Sequence, residues 1–132
     1  MSQERTADIN FLQSLYRYLL EEYNRLTILK TDLERSIETL KALQKAENEE
    51  IGPLIIPVSS FLSLIVEGAK AKEALILMGG NIYAKMAPEE AIKEAEERLD
   101  EVNRGMSEIS LNLAKVQLEM EKAQRGKATR AR

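Results

Sequence analysis

The sequence LIIPVSSFLSLIVEG, Leu54–Gly68, is the most apolar stretch of a chain in which 31% of the residues are charged. Its apolar run, residues 54–66, contains a proline and three serines and is 13 residues long. A membrane-spanning helix needs about 20 apolar residues, so the run is not a membrane anchor. The fold therefore depends on what covers this stretch.

The composition of the 132-residue chain narrows the possible classes of function. This length fits a single domain. The absence of cysteine and histidine excludes disulfides and thiol chemistry and removes the commonest general base. A net charge of −3 does not indicate nucleic-acid binding. We therefore expect neither an enzyme nor a cofactor. Because the N-terminal MSQERTADIN has no apolar signal region, we expect a cytoplasmic protein.

Residues 1–50 contain no glycine and no proline, and their apolar residues form a heptad seam. The spacing between successive seam residues alternates between three and four, except that the charged Lys30 occupies one of the a positions. This pattern predicts one helix of about 65–70 Å. The predicted seam residues are Ile9, Leu12, Tyr16, Leu19, Tyr23, Leu26, Leu33, Ile37 and Leu40.

Residues 88–125 repeat the heptad pattern and predict a second helix. Pro88 suits the first helical turn, and Glu89 and Glu90 suit the positive end of the helix. Gly105 lies off the seam, which favours an exposed glycine over a flexing point. The predicted seam residues are Ile92, Ala95, Leu99, Val102, Met106, Ile109, Leu113, Val116, Met120 and Ala123.

Two seams of matched length most simply fold back on each other as an antiparallel coiled coil. A turn near residue 69 then places residues 19–27 opposite roughly 111–118. Pairing of each helix with another chain is the alternative. The acidic residues of the run 89–101 are interleaved with Lys93 and Arg98 and predict ion pairs along a solvated face. They do not indicate a metal site. The basic residues 126–132 predict a disordered tail.

The middle segment, residues 51–87, predicts two β-hairpins. LIIPV, FLSLIVE, ALILM and NIYAKM are each of strand length, and Ser59–Ser60 and Gly79–Gly80 fall where tight turns would join them. A helix over AKAKEALILM is the alternative. The strand is favoured because the apolar run is contiguous and ends at a pair of glycines.

These hairpins cannot bury both of their own faces, and Pro57 indicates an edge strand. Apolar edge strands pair readily with other chains. We therefore expect the segment to be an oligomerisation core. The residues predicted for assembly are Leu54, Ile55, Ile56, Val58, Phe61, Leu62, Leu64, Ile65, Val66, Leu75, Ile76 and Leu77.

The pattern of helix, two hairpins and helix resembles an α-class prefoldin subunit of archaeal type. LIIPVSSFLSLIVEG is similar to the first hairpin of that family, and ALILMGGNIYAKMAPEEAIK is similar to the second hairpin and the start of the following helix. The two hairpins point to the α class, because β-class subunits have a single hairpin. Ser59–Ser60, where the family often has glycines, and the apolar Leu64–Val66 depart from the pattern. These departures fit a divergent α-like or γ-type paralogue.

The resemblance implies an α+β fold over residues 1–132, with hairpins that form an inter-subunit β-barrel. It implies an ATP-independent chaperone in a hexamer of two α and four β subunits. Such a hexamer captures non-native client proteins at the coiled-coil tips and delivers them to a group II chaperonin. The alternative is an α-like protein that assembles with itself into a structural filament.

Five apolar residues that lie off the seam are predicted to contact clients. Phe11, Leu15 and Tyr18 form one outer stripe on the first helix, and Leu111 and Leu118 lie one heptad apart at outward positions of the second. Exposed apolar patches usually mark interaction surfaces. For Leu15 the alternative is that it broadens the intramolecular seam.

Overall fold

The structure, a computed structural model, describes residues 2–46, 49–70 and 72–130, and side chains only between residues 8 and 126. The elements are helix α1 (Ser2–Lys45), strands β1 (Leu54–Pro57), β2 (Ser63–Val66), β3 (Ala74–Gly79) and β4 (Ile82–Met86), and helix α2 (Pro88–Arg130). This order confirms the predicted fold class, including strand rather than helix over Ala74–Gly79.

The chain forms two compact units. The helical unit contains residues 1–32 and 99–132, which are the N-terminal part of α1 and the C-terminal part of α2. The hairpin unit contains residues 33–98, which are the rest of both helices and all four strands.

Side-chain burial along both helices follows the predicted seams. Lys30 is half-buried at its a position, as are the apolar seam residues around it. Heptad positions a and d are therefore the faces that the helices bury. The buried seam residues are Ile37, Leu40, Ile92, Ala95, Val102 and Val116.

The helix ends differ from the predicted boundaries. Helix α1 ends at Lys45 rather than at residue 50. Just after this end, the N–H of Ala46 donates to the carbonyls of both Ala42 and Leu43, at 3.3 and 3.2 Å. Helix α2 begins at Pro88 as predicted and continues to Arg130, past the predicted end at residue 125. Residues 126–130 are therefore helical where a disordered tail was expected, since lysine, alanine and arginine favour helix. Residues 131 and 132 of that tail lie outside the described residues.

The first hairpin pairs β1 with β2 in antiparallel register, with Leu54 opposite Val66 and Pro57 opposite Ser63. A five-residue loop, 58–62, joins them instead of the tight turn predicted at Ser59–Ser60. The Ser59 hydroxyl oxygen accepts hydrogen bonds from the N–H groups of Phe61 and Leu62 at 3.2 and 3.1 Å. Because the serine side chain takes these backbone donors, Phe61 and Leu62 lie in the loop and not in a strand.

The second hairpin pairs β3 with β4, and its turn is centred on Gly80–Asn81, one residue later than predicted. Both residues have positive φ, 48° for Gly80 and 66° for Asn81. Two-residue hairpin turns of this kind need positive φ at both central positions, which glycine and asparagine tolerate. A register shift between Leu77 and Gly79 aligns Gly79 with Ile82 across the turn.

One face of the second hairpin packs against the helices of its own unit. Ala74, Ile76 and Met86 contact a cluster that the helices form from Leu40, Ala91 and Ile92. Arg98, which pairs with Glu94 at 3.1 Å, donates a hydrogen bond to the Met78 sulfur at 3.6 Å. The helices of the same chain therefore cover part of this face, which the second hairpin does not bury by itself.

Candidate interaction surfaces

The first hairpin is exposed on both faces. Ile55 and Ile65, which pair across the strands, are 70% and 69% exposed, and Phe61 in the loop is 95% exposed. The opposite face carries Leu54, Ile56, Leu64 and Val66, of which only Val66 is half-buried. Every strand position of this hairpin except Pro57 and Ser63 is a large aliphatic residue. It has no polar face to present to water.

The second hairpin is partly covered on one face and exposed on the other. Leu75 and Leu77 point away from the helices and lie opposite Lys85 and Tyr83 on the neighbouring strand. Ile76 was predicted to take part in assembly, but it is half-buried against the helices. This difference follows from strand geometry, because successive side chains point to opposite faces of a sheet.

Sequence reasoning missed three exposed residues of the second hairpin, namely Met78, Ile82 and Tyr83. Cross-strand pairing would have identified Tyr83, because it lies opposite Leu77. The exposed surface of the two hairpins, which we call the hairpin surface, consists of Leu54, Ile55, Ile56, Val58, Phe61, Leu62, Leu64, Ile65, Leu75, Leu77, Met78, Ile82 and Tyr83.

The helical unit carries a second set of exposed apolar side chains. Phe11 and Leu111 are 65% and 64% exposed, and Tyr18 and Leu118 are also exposed. Leu15, which was also predicted to contact clients, is half-buried, and this agrees with the alternative that it broadens the seam. Among the described helical residues, every exposed large apolar side chain belongs to this unit, and the set also includes Leu20, Ile28 and Leu29.

The predicted client residues fall on two separate strips of the helical unit. Phe11 and Tyr18 at c positions share one face of α1 with Leu15 at a g position, beside the seam. Leu111 and Leu118 occupy f positions of α2, which point directly away from the seam. Helix geometry therefore separates these two leucines from the aromatic strip.

Phe11 also borders a groove between the two helices. This groove has a volume of about 420 Å³, and Leu12 and Ala123 supply its other apolar walls. Its rim is charged: Asp8 and Glu119 are negative, and Lys122 is positive. Lys122 and Glu119 form an ion pair at 3.7 Å, with both side chains largely exposed.

The pairing of the helices in the helical unit differs from the predicted register. A Cβ atom on Gly105 would lie 3.3 Å from the Leu26 methyl carbon Cδ1, so Gly105 faces Leu26. The prediction placed residues 111–118 opposite 19–27. Leu26 therefore faces a residue about one heptad earlier in the second helix than predicted. Gly105 is half-buried, which corrects the expectation that it is a surface glycine.

Charged residues of both units pair locally. In the helical unit, Arg25 donates hydrogen bonds to the Glu22 carboxylate, and this pairing raises the pKa of Arg25 above its usual value. In the hairpin unit, Lys41 of α1 lies 3.8 Å from Glu96 of α2.

Within the part of the chain that the structure describes, no group of acidic residues is arranged to hold a metal ion. None of the described helices is long and apolar enough to cross a membrane.

The fold and the two exposed apolar surfaces define a class of protein: a helical hairpin that carries β-hairpins suited to assembly with other chains. Comparison with protein families matches residues 12–131 to the family described as Prefoldin subunit. The chain therefore belongs to the prefoldin family. Comparison with curated proteins gave no match.

Comparison with solved structures found the same fold in an archaeal protein. The filamentous PFD from Methanocaldococcus jannaschii, determined by cryo-EM, is similar with a TM-score of 0.71 and 22% sequence identity. The match covers 89% of this chain and 95% of that chain. The comparison thus supports the fold along nearly the whole of both chains.

Proposed function

We propose that this chain is an α-class prefoldin subunit that acts as an ATP-independent molecular chaperone. Its hairpin surface assembles with β-class subunits into a hexamer of two α and four β chains. Its helical unit captures non-native proteins in the cytoplasm and passes them to a group II chaperonin. The observation that carries this proposal is the occurrence of exposed apolar side chains in two different units, one that contains all four strands and one that consists of helices.

The two surfaces suit different partners. Most of the hairpin surface lies on regular strands, whose unpaired edges can bind another strand in a fixed register. The apolar residues of the helical unit are spread over several helix positions and include two aromatic rings, Phe11 and Tyr18. Such a surface binds apolar segments without demanding one sequence, as a protein with many non-native clients requires. Members of the prefoldin family are chaperones rather than enzymes, which agrees with one surface for assembly and another for clients.

Replacing Phe11, Tyr18, Leu111 and Leu118 with serine tests the proposed client surface. We expect the oligomer and its helix content to persist, because all four side chains are exposed. Suppression of the aggregation of a denatured client, measured by light scattering without ATP, should fall about tenfold or more.

The matched control replaces four exposed asparagines of the same helices, Asn10, Asn24, Asn103 and Asn112, with serine. We expect this control to suppress aggregation as well as the natural chain does. If the fourfold apolar variant also keeps full suppression, the client surface lies elsewhere.

A second candidate function is self-assembly into a filament. The first hairpin favours it, because both of its faces are apolar and exposed, and the similar archaeal structure is described as filamentous. Native mass spectrometry of the chain, alone and with a β-class subunit, separates the two candidates. A hexamer that forms only with the partner supports the chaperone, and long assemblies of the chain alone support the filament.

A further inference from the structure

The helical unit has a second groove on the opposite flank of the seam from Phe11. Its volume is about 650 Å³, within the usual range for ligand sites. Tyr16, Leu20 and Met120 form its apolar surface. Three glutamines, Gln13 on α1 and Gln117 and Gln124 on α2, line its two sides.

The three glutamines occupy the same heptad position on the two helices. With Ile9 and Ile92 taken as a positions, Gln13, Gln117 and Gln124 all occupy e positions, as does Leu20. In an antiparallel pair of helices the e positions of the two chains lie on the same flank. The amide groups are therefore presented to one groove from both sides, and all three side chains are exposed.

The chemistry of this groove differs from that of the Phe11 groove. Each glutamine amide offers two N–H donors and an acceptor oxygen and carries no charge, which matches the donors and acceptors of a peptide backbone. Arg17 and Glu121, also in the lining, are of opposite sign. The lining of the Phe11 groove contains three charged side chains, Asp8, Glu119 and Lys122, and no amide side chain.

We infer that the groove lined by Gln13, Gln117 and Gln124 binds the backbone of an extended, uncharged segment of a non-native protein. The glutamine amides hydrogen-bond the peptide groups of the segment, and its apolar side chains pack on Tyr16, Leu20 and Met120. The inference rests on the proposed chaperone function and identifies what part of the client this groove recognises. The backbone is common to all sequences, so this contact does not depend on which client is bound.

The dimensions of the groove agree with such a ligand. From Gln13 to Leu20, and from Gln117 to Gln124, each helix rises about 11 Å. An extended chain spans that distance with about three or four residues. Three glutamines thus face a similar number of peptide groups.

A pair of labelled peptides tests the inference with the whole oligomer. One is an uncharged peptide of about eight residues with alternating leucine and serine; the other has the same side chains but N-methylated peptide groups, which cannot donate hydrogen bonds. Fluorescence anisotropy should show about tenfold tighter binding of the unmethylated peptide.

The variant Q13M/Q117M/Q124M removes the amides and keeps the length and apolar stems of the side chains. We expect it to bind the unmethylated peptide about tenfold more weakly and to lose the preference between the two peptides. The control N10M/N24M/N112M changes three exposed amides outside the groove and should keep the preference.

The outcomes separate the inference from the function on which it rests. If the natural protein suppresses aggregation but binds the two peptides equally, or binds neither, backbone recognition in this groove is overturned and the chaperone function stands. An unchanged preference in the glutamine variant has the same consequence. If the protein does not suppress aggregation at all, the proposed function fails and the inference fails with it.

Discussion

At the scale of single residues, Gly105 illustrates how a packing contact opposes helix propensity. Glycine in a helix interior is less favourable than alanine by about 1 kcal/mol. At this position an alanine Cβ would come within 3.3 Å of the Leu26 methyl carbon. That carbon is the end of a flexible side chain, and Leu26 is only half-buried. A shift of a few tenths of an ångström would therefore relieve the contact.

Gly105→Ala should accordingly stabilise the protein by about 0.5–1 kcal/mol, because the gain in helix propensity exceeds the cost of moving Leu26. Urea denaturation followed by circular dichroism measures the change. Gly105→Val is the matched comparison and should destabilise, since its branched side chain adds bulk at the contact. A lower stability of the alanine variant would mean that Leu26 has no room to move.

At the scale of elements, the second hairpin is two-sided in a way that the first hairpin is not. Ile76 packs against the helix cluster of Leu40, Ala91 and Ile92, whereas its neighbour Leu77 is 46% exposed. The same strand therefore serves the fold with one face and is available for assembly with the other. The strand residues of the first hairpin are not part of that cluster, and all of them except Val66 are exposed.

Serine at positions 76 and 77 should separate these two roles. Ile76→Ser removes a side chain packed within the chain and should lower the free energy of unfolding by about 2 kcal/mol at any protein concentration. Leu77→Ser should cost about 0.5 kcal/mol or less within the subunit and should weaken assembly instead. Its effect on the unfolding midpoint should therefore vary with protein concentration.

Thermal unfolding at several protein concentrations makes this comparison. An Ile76→Ser effect that disappears on dilution would show that Ile76 contributes to the interface and not to the fold of the subunit.

At the scale of the whole molecule, the chain exposes more apolar surface than it buries in a large core. The described residues include no fully buried large side chain, and the hairpin surface exposes many aliphatic residues. Covering that surface yields about 25 cal/mol for each Å² of apolar area removed from water. Members of the prefoldin family oligomerise with other prefoldin subunits, and we expect neighbouring chains to cover the hairpin surface in such an assembly.

Replacing Ile55 and Ile65 with lysine should prevent that assembly. The two residues pair across the first hairpin and are among its most exposed positions, so lysine is tolerated in the free subunit. Two charges buried at an interface would cost several kcal/mol. Size-exclusion chromatography with light scattering should show the oligomer lost and the helix content retained. A control with lysine at Asn24 and Asn103 should assemble normally, and an intact oligomer in the Ile55 and Ile65 variant would exclude this face from the interface.

Much of the fold was predictable because its signals are local. Heptad spacing from Ile9 to Leu40 and from Ile92 to Ala123 predicts the helices, and Pro88 marks the start of the second one. The strands follow from short apolar runs between glycines and prolines. The turn at Gly80–Asn81 was misplaced by one residue, because Gly79 and Gly80 both permit positive φ and only the backbone distinguishes them.

By itself, the sequence determined that two hairpins lie between two long helices along the chain. It also determined that the chain has more apolar surface than it can bury. Only the tertiary structure decided which surface stays exposed. Ile76 and Leu77 are equally apolar, and packing against Leu40, Ala91 and Ile92 covers the first and leaves the second. Likewise, the contact of Gly105 with Leu26 and the glutamine groove depend on the register between the helices. Heptad spacing fixes the buried face of each helix but leaves this register open, because a shift by whole heptads preserves the seam.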